Sequence, residues 1–195
     1  MHDSLNNRQE YYRKLIHLSS SCIPFMLWYF GKATFQPWII SCAIILPILD
    51  YGRRHNKFLY RIYSNLFTTF TRPIEQGILS GASWVIIGAA VTIFIFNENT
   101  AIIGILVLNI ADSASAIVGI KFGKTQLFSK SLEGSAAFFI TATIIVFLLS
   151  SAAAYINFIA VIVVTLVELF STPRINDNLL IPMVLALILT IGGVG

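Results

Sequence analysis

The stretch from Asn109 to Gly134, "NIADSASAIVGIKFGKTQLFSKSLEG", sets an acid inside an apolar run and follows it with lysines at 121, 124 and 130. A carboxylate at the middle of a membrane helix costs roughly 2.5–3.5 kcal/mol on insertion scales, so such a residue pairs, binds an ion or lines a polar cavity. Helical spacing puts Asn109, Asp112, Ser113, Ala116 and Gly119 on one small, polar face that should look into a bundle. Ala111, Ser115 and Gly119 repeat every fourth residue, the spacing of closely packed membrane helices. Beyond them, Gly119 and Gly123 free the backbone to approach a ligand. Lys121, Lys124 and Lys130 can each meet a phosphate oxygen as a point charge. Ser131, Glu133 and Gly134 open the next helix, whose positive end favours anions. "GIKFGKT" is one residue short of a Walker A loop and follows a membrane helix instead of a strand, so that reading is rejected.

Other polar residues gather at the same ends of apolar runs. Arg13, Lys14 and His17 open the first run, Asp50 ends the second and Glu75 precedes the third. Glu168 closes a later run, and Asp177 and Asn178 open the last. Acids and cations at one water–lipid boundary fit a polyphosphate with a divalent cation, since Mg²⁺ is typically held by one or two carboxylates plus phosphate oxygens. Asp112 is the first metal-ligand candidate, followed by Glu168 and Asp177. Lys14 joins the loop lysines as a phosphate partner. His17 lies one turn from Arg13 and Lys14, cations that favour a neutral imidazole able to take a proton from an alcohol. Asp50 and Asp112 are rival bases.

The elements that must position these residues are membrane helices. Only 11% of the 195 residues are charged and 56% are hydrophobic, against about a quarter charged in a soluble domain. Seven candidate spans lie at 15–31, 36–50, 78–96, 101–120, 133–150, 152–170 and 179–194. Residues 55–72 are too polar to span and have the spacing of an amphipathic surface helix. With the N-terminus inside, twelve of the thirteen basic residues face the cytoplasm and only Lys32 lies outside, as the positive-inside rule asks. The expected fold is an all-α, multi-pass bundle forming one domain over 1–195. The first run lacks a small-residue cleavage site and reads as a retained helix. Cys22 and Cys42 fall inside spans and read as small core residues, not a disulfide. The basic loops serve topology, so no nucleic-acid partner is implied. The oligomeric state is open, a homodimer included, and the compact chain fits a prokaryotic cytoplasmic membrane.

The stretch from Asp112 to Gly134 resembles the nucleotide-binding signature of the CTP-dependent polyprenol kinases: dolichol kinase, phytol kinase and the CTP-dependent diacylglycerol kinase of yeasts. The matching positions are Asp112, Ser115, Gly119, Phe122-Gly123-Lys124, Lys130-Ser131 and Glu133-Gly134. "RKLIH" with Arg13, Lys14 and His17 looks like the family's first helix. "RPIEQGILSGASWVIIG" places Arg72, Glu75 and Gly88 similarly, and "VELFSTPRINDNLLIP" supplies Glu168, Asp177, Asn178 and Pro182 in order. Ala111 stands where Gly commonly precedes the acid, and Ser115 where Ala is usual. The resemblance implies CTP as phosphoryl donor, Mg²⁺ as metal and a lipid alcohol as acceptor, with Lys124 among the catalytic residues; composition and spacing do not show CTP. Two alternatives stand beside it. A CTP:phosphatidate cytidylyltransferase would use the same nucleotide but attack the α-phosphate, and a small transporter would use Asp112 as an ion site. The one-sided acids and the absence of a visible repeat argue against transport.

Overall fold

The computed structural model describes residues 11, 14–52, 56, 61, 79–128, 130–171 and 176–194. Arg13, Glu75 and nearly all of the amphipathic stretch 55–72 lie outside the described residues. Residues 14–19 are helical. They are followed by α1 (Cys22–Phe30), α2 (Lys32–Gly52), α3 (Gly81–Ile95), α4 (Glu98–Phe122), α5 (Leu132–Leu149), α6 (Ala154–Leu169) and α7 (Asp177–Ile191). Three of these, α2, α4 and α5, are long and apolar enough to cross a membrane.

The first expected span is broken. Pro24 has no N–H for the Ser20 carbonyl, which accepts from Ile23 N–H at 2.9 Å instead. The turn at residues 20 and 21 is held further by the Ser20 hydroxyl, which donates to the His17 carbonyl at 2.5 Å and to Asn109 Oδ1 at 3.0 Å. Helix starts elsewhere follow capping chemistry. Ser80, Asn97, Ser131 and Asn176 each accept a backbone N–H from the first turn of α3, α4, α5 and α7.

α4 is the central helix. Much more of its apolar length is buried than of α2 or α5. Its first half packs with α1, α2 and α3 around Leu27, Ile39, Ile93 and Ile105. Its second half packs with α5, α6 and α7 around Leu108, Phe138, Val164 and Leu185. Gly104 allows the α4–α7 approach, because a Cβ there would stand 2.6 Å from the Pro182 carbonyl oxygen. Cys22 and Cys42 are exposed on the outside of the bundle, not in its core. Burial there goes to larger neighbours, Ile23 and Ile39.

Contacts at the helix ends divide the bundle into two poles. At one, Glu98 accepts from Lys32 N–H at 2.6 Å, the Lys32 ammonium reaches the Phe96 carbonyl at 2.6 Å, and Asn97 donates to the Val194 carbonyl at 2.7 Å. Among the described residues, the other pole gathers Lys14, Asp112, Lys130, Glu168 and Asp177.

Candidate functional site

At the charged pole, α4 departs from α-helical geometry. Val107–Ala111 is a π-helical segment, and Asp112 resumes the α-helix directly after it. Such segments insert a residue, rotate the side chains beyond it and recur at functional sites. Here the rotation widens the polar face beyond the expected stripe. Asn109, Asp112, Ser113 and Ser115 are all buried. Asp112 turns toward the first helical segment, where it pairs with the Lys14 ammonium and lies 3.7 Å from His17 Nδ1. Ser115 turns toward α6 and donates to Glu168 Oε1 at 2.9 Å.

Glu168 is wholly buried in the last turn of α6. Its second oxygen accepts from the Ser135 hydroxyl at 3.0 Å. Two hydroxyls do not neutralise a buried carboxylate; that charge is met by Lys130, whose Nζ stands 3.0 Å from Glu168 Oε1. The same ammonium lies 3.3 Å from Asp177 Oδ2 and 4.0 Å from Asp112 Oδ1. Burial pulls the Lys130 pKa down, but Asp112, Asp177 and Glu168 outweigh it and hold the ammonium above the ordinary lysine range. Lys130 thus joins α4, α6 and α7 at one point.

A short hairpin delivers it. β1 (Gln126–Leu127) pairs antiparallel with β2 (Lys130–Ser131), in register Gln126 to Ser131 and Leu127 to Lys130. At the turn, Phe128 stacks on Phe170 with ring centroids 5.1 Å apart, which ties the hairpin to the end of α6. Ser131 then caps α5 by accepting from Gly134 N–H at 3.1 Å. The signature glycines serve this packing. A Cβ on Gly119 would stand 2.9 Å from Ser131 Oγ, and one on Gly134 would stand 2.9 Å from the Ser115 carbonyl oxygen. A Cβ on Gly123 would meet Ser131 at 2.9 Å. Their close approach is therefore between α4 and the hairpin–α5 junction, where the sequence pattern suggested a ligand.

Several candidates fall outside the cluster. Lys121 and Lys124 are exposed, with the Lys121 ammonium over the Phe122 ring at 5.2 Å. Glu133 accepts from Thr125 N–H at 3.2 Å and closes the loop. Asp50 caps the start of α3, accepting from Ser80 N–H at 2.5 Å and the Ser83 hydroxyl at 2.9 Å. Asn178 is buried in the first turn of α7, beside Asp177, and its Oδ1 has no hydrogen-bond partner among the described residues. Sequence reasoning missed Ser135, Ser20 and Ser171, the last of which donates to Asp177 Oδ2 at 3.3 Å. Their signal was available as hydroxyls set within or beside apolar runs.

Asp112, Glu168 and Asp177, the expected metal ligands, converge on an ammonium. Among the described residues no group of three or more His, Cys, Asp or Glu side chains is gathered to hold a metal ion. The donor chemistry itself suits Mg²⁺, since all three are carboxylates and Lys130 occupies the point they share.

A chain of this length recurs in distant organisms. An uncharacterized protein of Rickettsia prowazekii is 31% identical over 188 residues, covering 92% of each chain. An uncharacterized protein of Methanocaldococcus jannaschii is 32% identical over 185 residues, covering 93% of each. The chain belongs to the family of these two proteins. It is also similar to the CTP-dependent diacylglycerol kinase 1 of Saccharomyces cerevisiae, at 30% identity over 143 residues. That match covers 70% of this chain and 49% of the yeast protein, so this family member spans about half the length of the kinase. No family model and no solved structure matches the chain.

Proposed function

We propose that the protein is a CTP-dependent lipid kinase, an integral membrane enzyme that phosphorylates a membrane lipid alcohol at the cytoplasmic face. The observation that carries this reading is the convergence of Lys14, His17, Asp112, Lys130, Glu168 and Asp177 at one pole of an apolar bundle. The similarity to a diacylglycerol kinase supports it. In this reading seven crossings with the N-terminus inside, as the distribution of basic residues asks, turn that pole to the cytoplasm, where nucleotide is available.

In this reading the lipid hydroxyl attacks the γ-phosphate in line, the bond from γ-phosphorus to the bridging oxygen breaks, and CDP leaves. Lys130 and Lys14 offset charge on the phosphates, the largest contribution in phosphoryl transfer. Lys121 and Lys124, exposed above the cluster, draw the nucleotide in and hold its outer phosphates. His17, 3.7 Å from Asp112, takes the hydroxyl proton. Mg²⁺ arriving with the nucleotide would bind Asp112, Glu168 and Asp177 and neutralise the transferring group, with Lys130 turning onto phosphate. The acceptor is a polyprenol, a phytol- or farnesol-like alcohol, or diacylglycerol.

The test is purified protein with CTP, Mg²⁺ and a panel of these alcohols, with products read by mass spectrometry. CDP and a lipid phosphate are expected, with activity lost in Asp112→Asn. Pyrophosphate and a CDP-lipid would identify a cytidylyltransferase instead, and undiminished activity in Asp112→Asn would remove the site.

A further inference from the structure

An apolar cleft lies away from the charged cluster. It holds about 540 Å³ between α1, α2 and α3, within the range of ligand pockets. Ile23 and Met26 of α1, Thr34, Cys42 and Leu46 of α2, and Ile86 of α3 line it, and its lining includes no charged residue. From Thr34 to Leu46 the cleft follows α2 for about 18 Å at the helical rise. Since α2 is long enough to cross a membrane and mostly exposed, the cleft opens to hydrocarbon.

Two features join it to the charged pole. Leu46 is one turn from Asp50, at the end of α2 that meets the start of α3. Ile23 bonds to Ser20, and the Ser20 hydroxyl bridges the His17 carbonyl and Asn109 Oδ1. Asn109 is wholly buried, and its Nδ2 has no hydrogen-bond partner among the described residues. An unsatisfied buried amide donor is costly unless a ligand answers it. Here it lies one turn before Asp112, linked through Ser20 to Ile23 of the cleft wall.

We propose that this cleft holds the hydrocarbon chain of the acceptor alcohol and that the Asn109 amide receives the hydroxyl end beside His17. The inference deepens the kinase reading by assigning the acceptor subsite, and its occupant is one chain, running along α2 with its head toward Asp112. A short isoprenoid alcohol of about phytol's length matches the cleft, whereas a longer polyprenol would extend beyond it and a two-chained lipid would leave one chain in the bilayer. Asn109 is a positioning residue in this account.

The chain carries its own reporters. Cys22 and Cys42 are both exposed on the bundle, and only Cys42 lines the cleft. The experiment measures alkylation of each by an apolar maleimide in phosphatidylcholine nanodiscs, with and without phytol and, separately, diacylglycerol. Binding in the cleft slows Cys42 several-fold and leaves Cys22 unchanged. Equal slowing of both cysteines, or of neither, by both alcohols overturns the proposal. Turnover supplies the second readout. Cys42→Trp fills the cleft and displaces chain methylenes, raising KM for the alcohol about tenfold or more while KM for CTP stays put. Asn109→Ala removes one hydrogen bond and raises the alcohol KM up to about tenfold. Unchanged alcohol KM in both variants also overturns it. Protection of Cys42 needs no turnover, so a protein that binds alcohol but transfers no phosphate would fail the kinase reading alone.

Discussion

Lys130→Met removes the ammonium on which three carboxylates converge and leaves a side chain of similar length. At an effective dielectric of about 20, Coulomb's law gives roughly 5 kcal/mol of gross attraction at the 3.0 Å separation from Glu168. Desolvation offsets much of that in the intact pair. Breaking it leaves Glu168 wholly buried with, among the described residues, the Ser115 and Ser135 hydroxyls. Removal of one partner of a buried pair costs about 3–5 kcal/mol. Lys130 keeps 24% of its side chain exposed, so the lower end, about 3 kcal/mol, is expected. Glu168→Gln in the same chain removes the stranded charge and keeps the hydroxyl partners, so the double variant should recover about 2 kcal/mol of the loss. The assay is reversible unfolding in mixed micelles at increasing dodecyl sulfate, followed by tryptophan fluorescence. A single variant within about 0.5 kcal/mol of the parent, or a double variant no more stable than the single, refutes the claim that Lys130 neutralises a buried acid.

The pH dependence has a definite sign. Lys130 is raised above its ordinary pKa in the folded protein, so its contribution is complete below that ordinary value and is lost as pH rises through the raised one. Unfolding midpoints should therefore show an alkaline loss in the parent that Lys130→Met lacks, and no Lys130-dependent change between pH 6 and pH 9, both measured by the same titration. Asp50→Asn weakens the seat of α3 and should cost about 1–2 kcal/mol in the same unfolding assay, with KM for CTP unchanged. Lys121→Gln with Lys124→Gln changes exposed residues, so stability should hold within about 0.5 kcal/mol; KM for CTP should rise and lose part of its salt dependence in steady-state assays at two ionic strengths. Gly104→Ala pushes a methyl against the Pro182 carbonyl and should cost about 1–3 kcal/mol by overpacking, seen as a lower midpoint in thermal unfolding.

The sequence by itself determined the class of the molecule. Apolar runs separated by short polar connections dictate a helical membrane bundle, and the small series Ala111, Ser115, Gly119 marks where α4 meets α5. The need of Asp112 for a buried partner was also legible, because a lone acid inside an apolar run carries its own energetic signal. Tertiary structure decided which cation answers it. Three lysines in one loop are equivalent as letters, but the hairpin register and the Phe128–Phe170 contact turn Lys130 inward, while Lys121 and Lys124 stay exposed. The partnership of Lys14 with Asp112 spans 98 positions and carries no local pattern. The π-helical segment could not be read from a fixed helical period, since one inserted residue rotates every side chain after it. Pro24 was visible, but the break it makes at Ser20 depends on Asn109 arriving from another helix to hold the turn. Local chemistry set which residues were costly to bury; long-range packing set which of them share the burial.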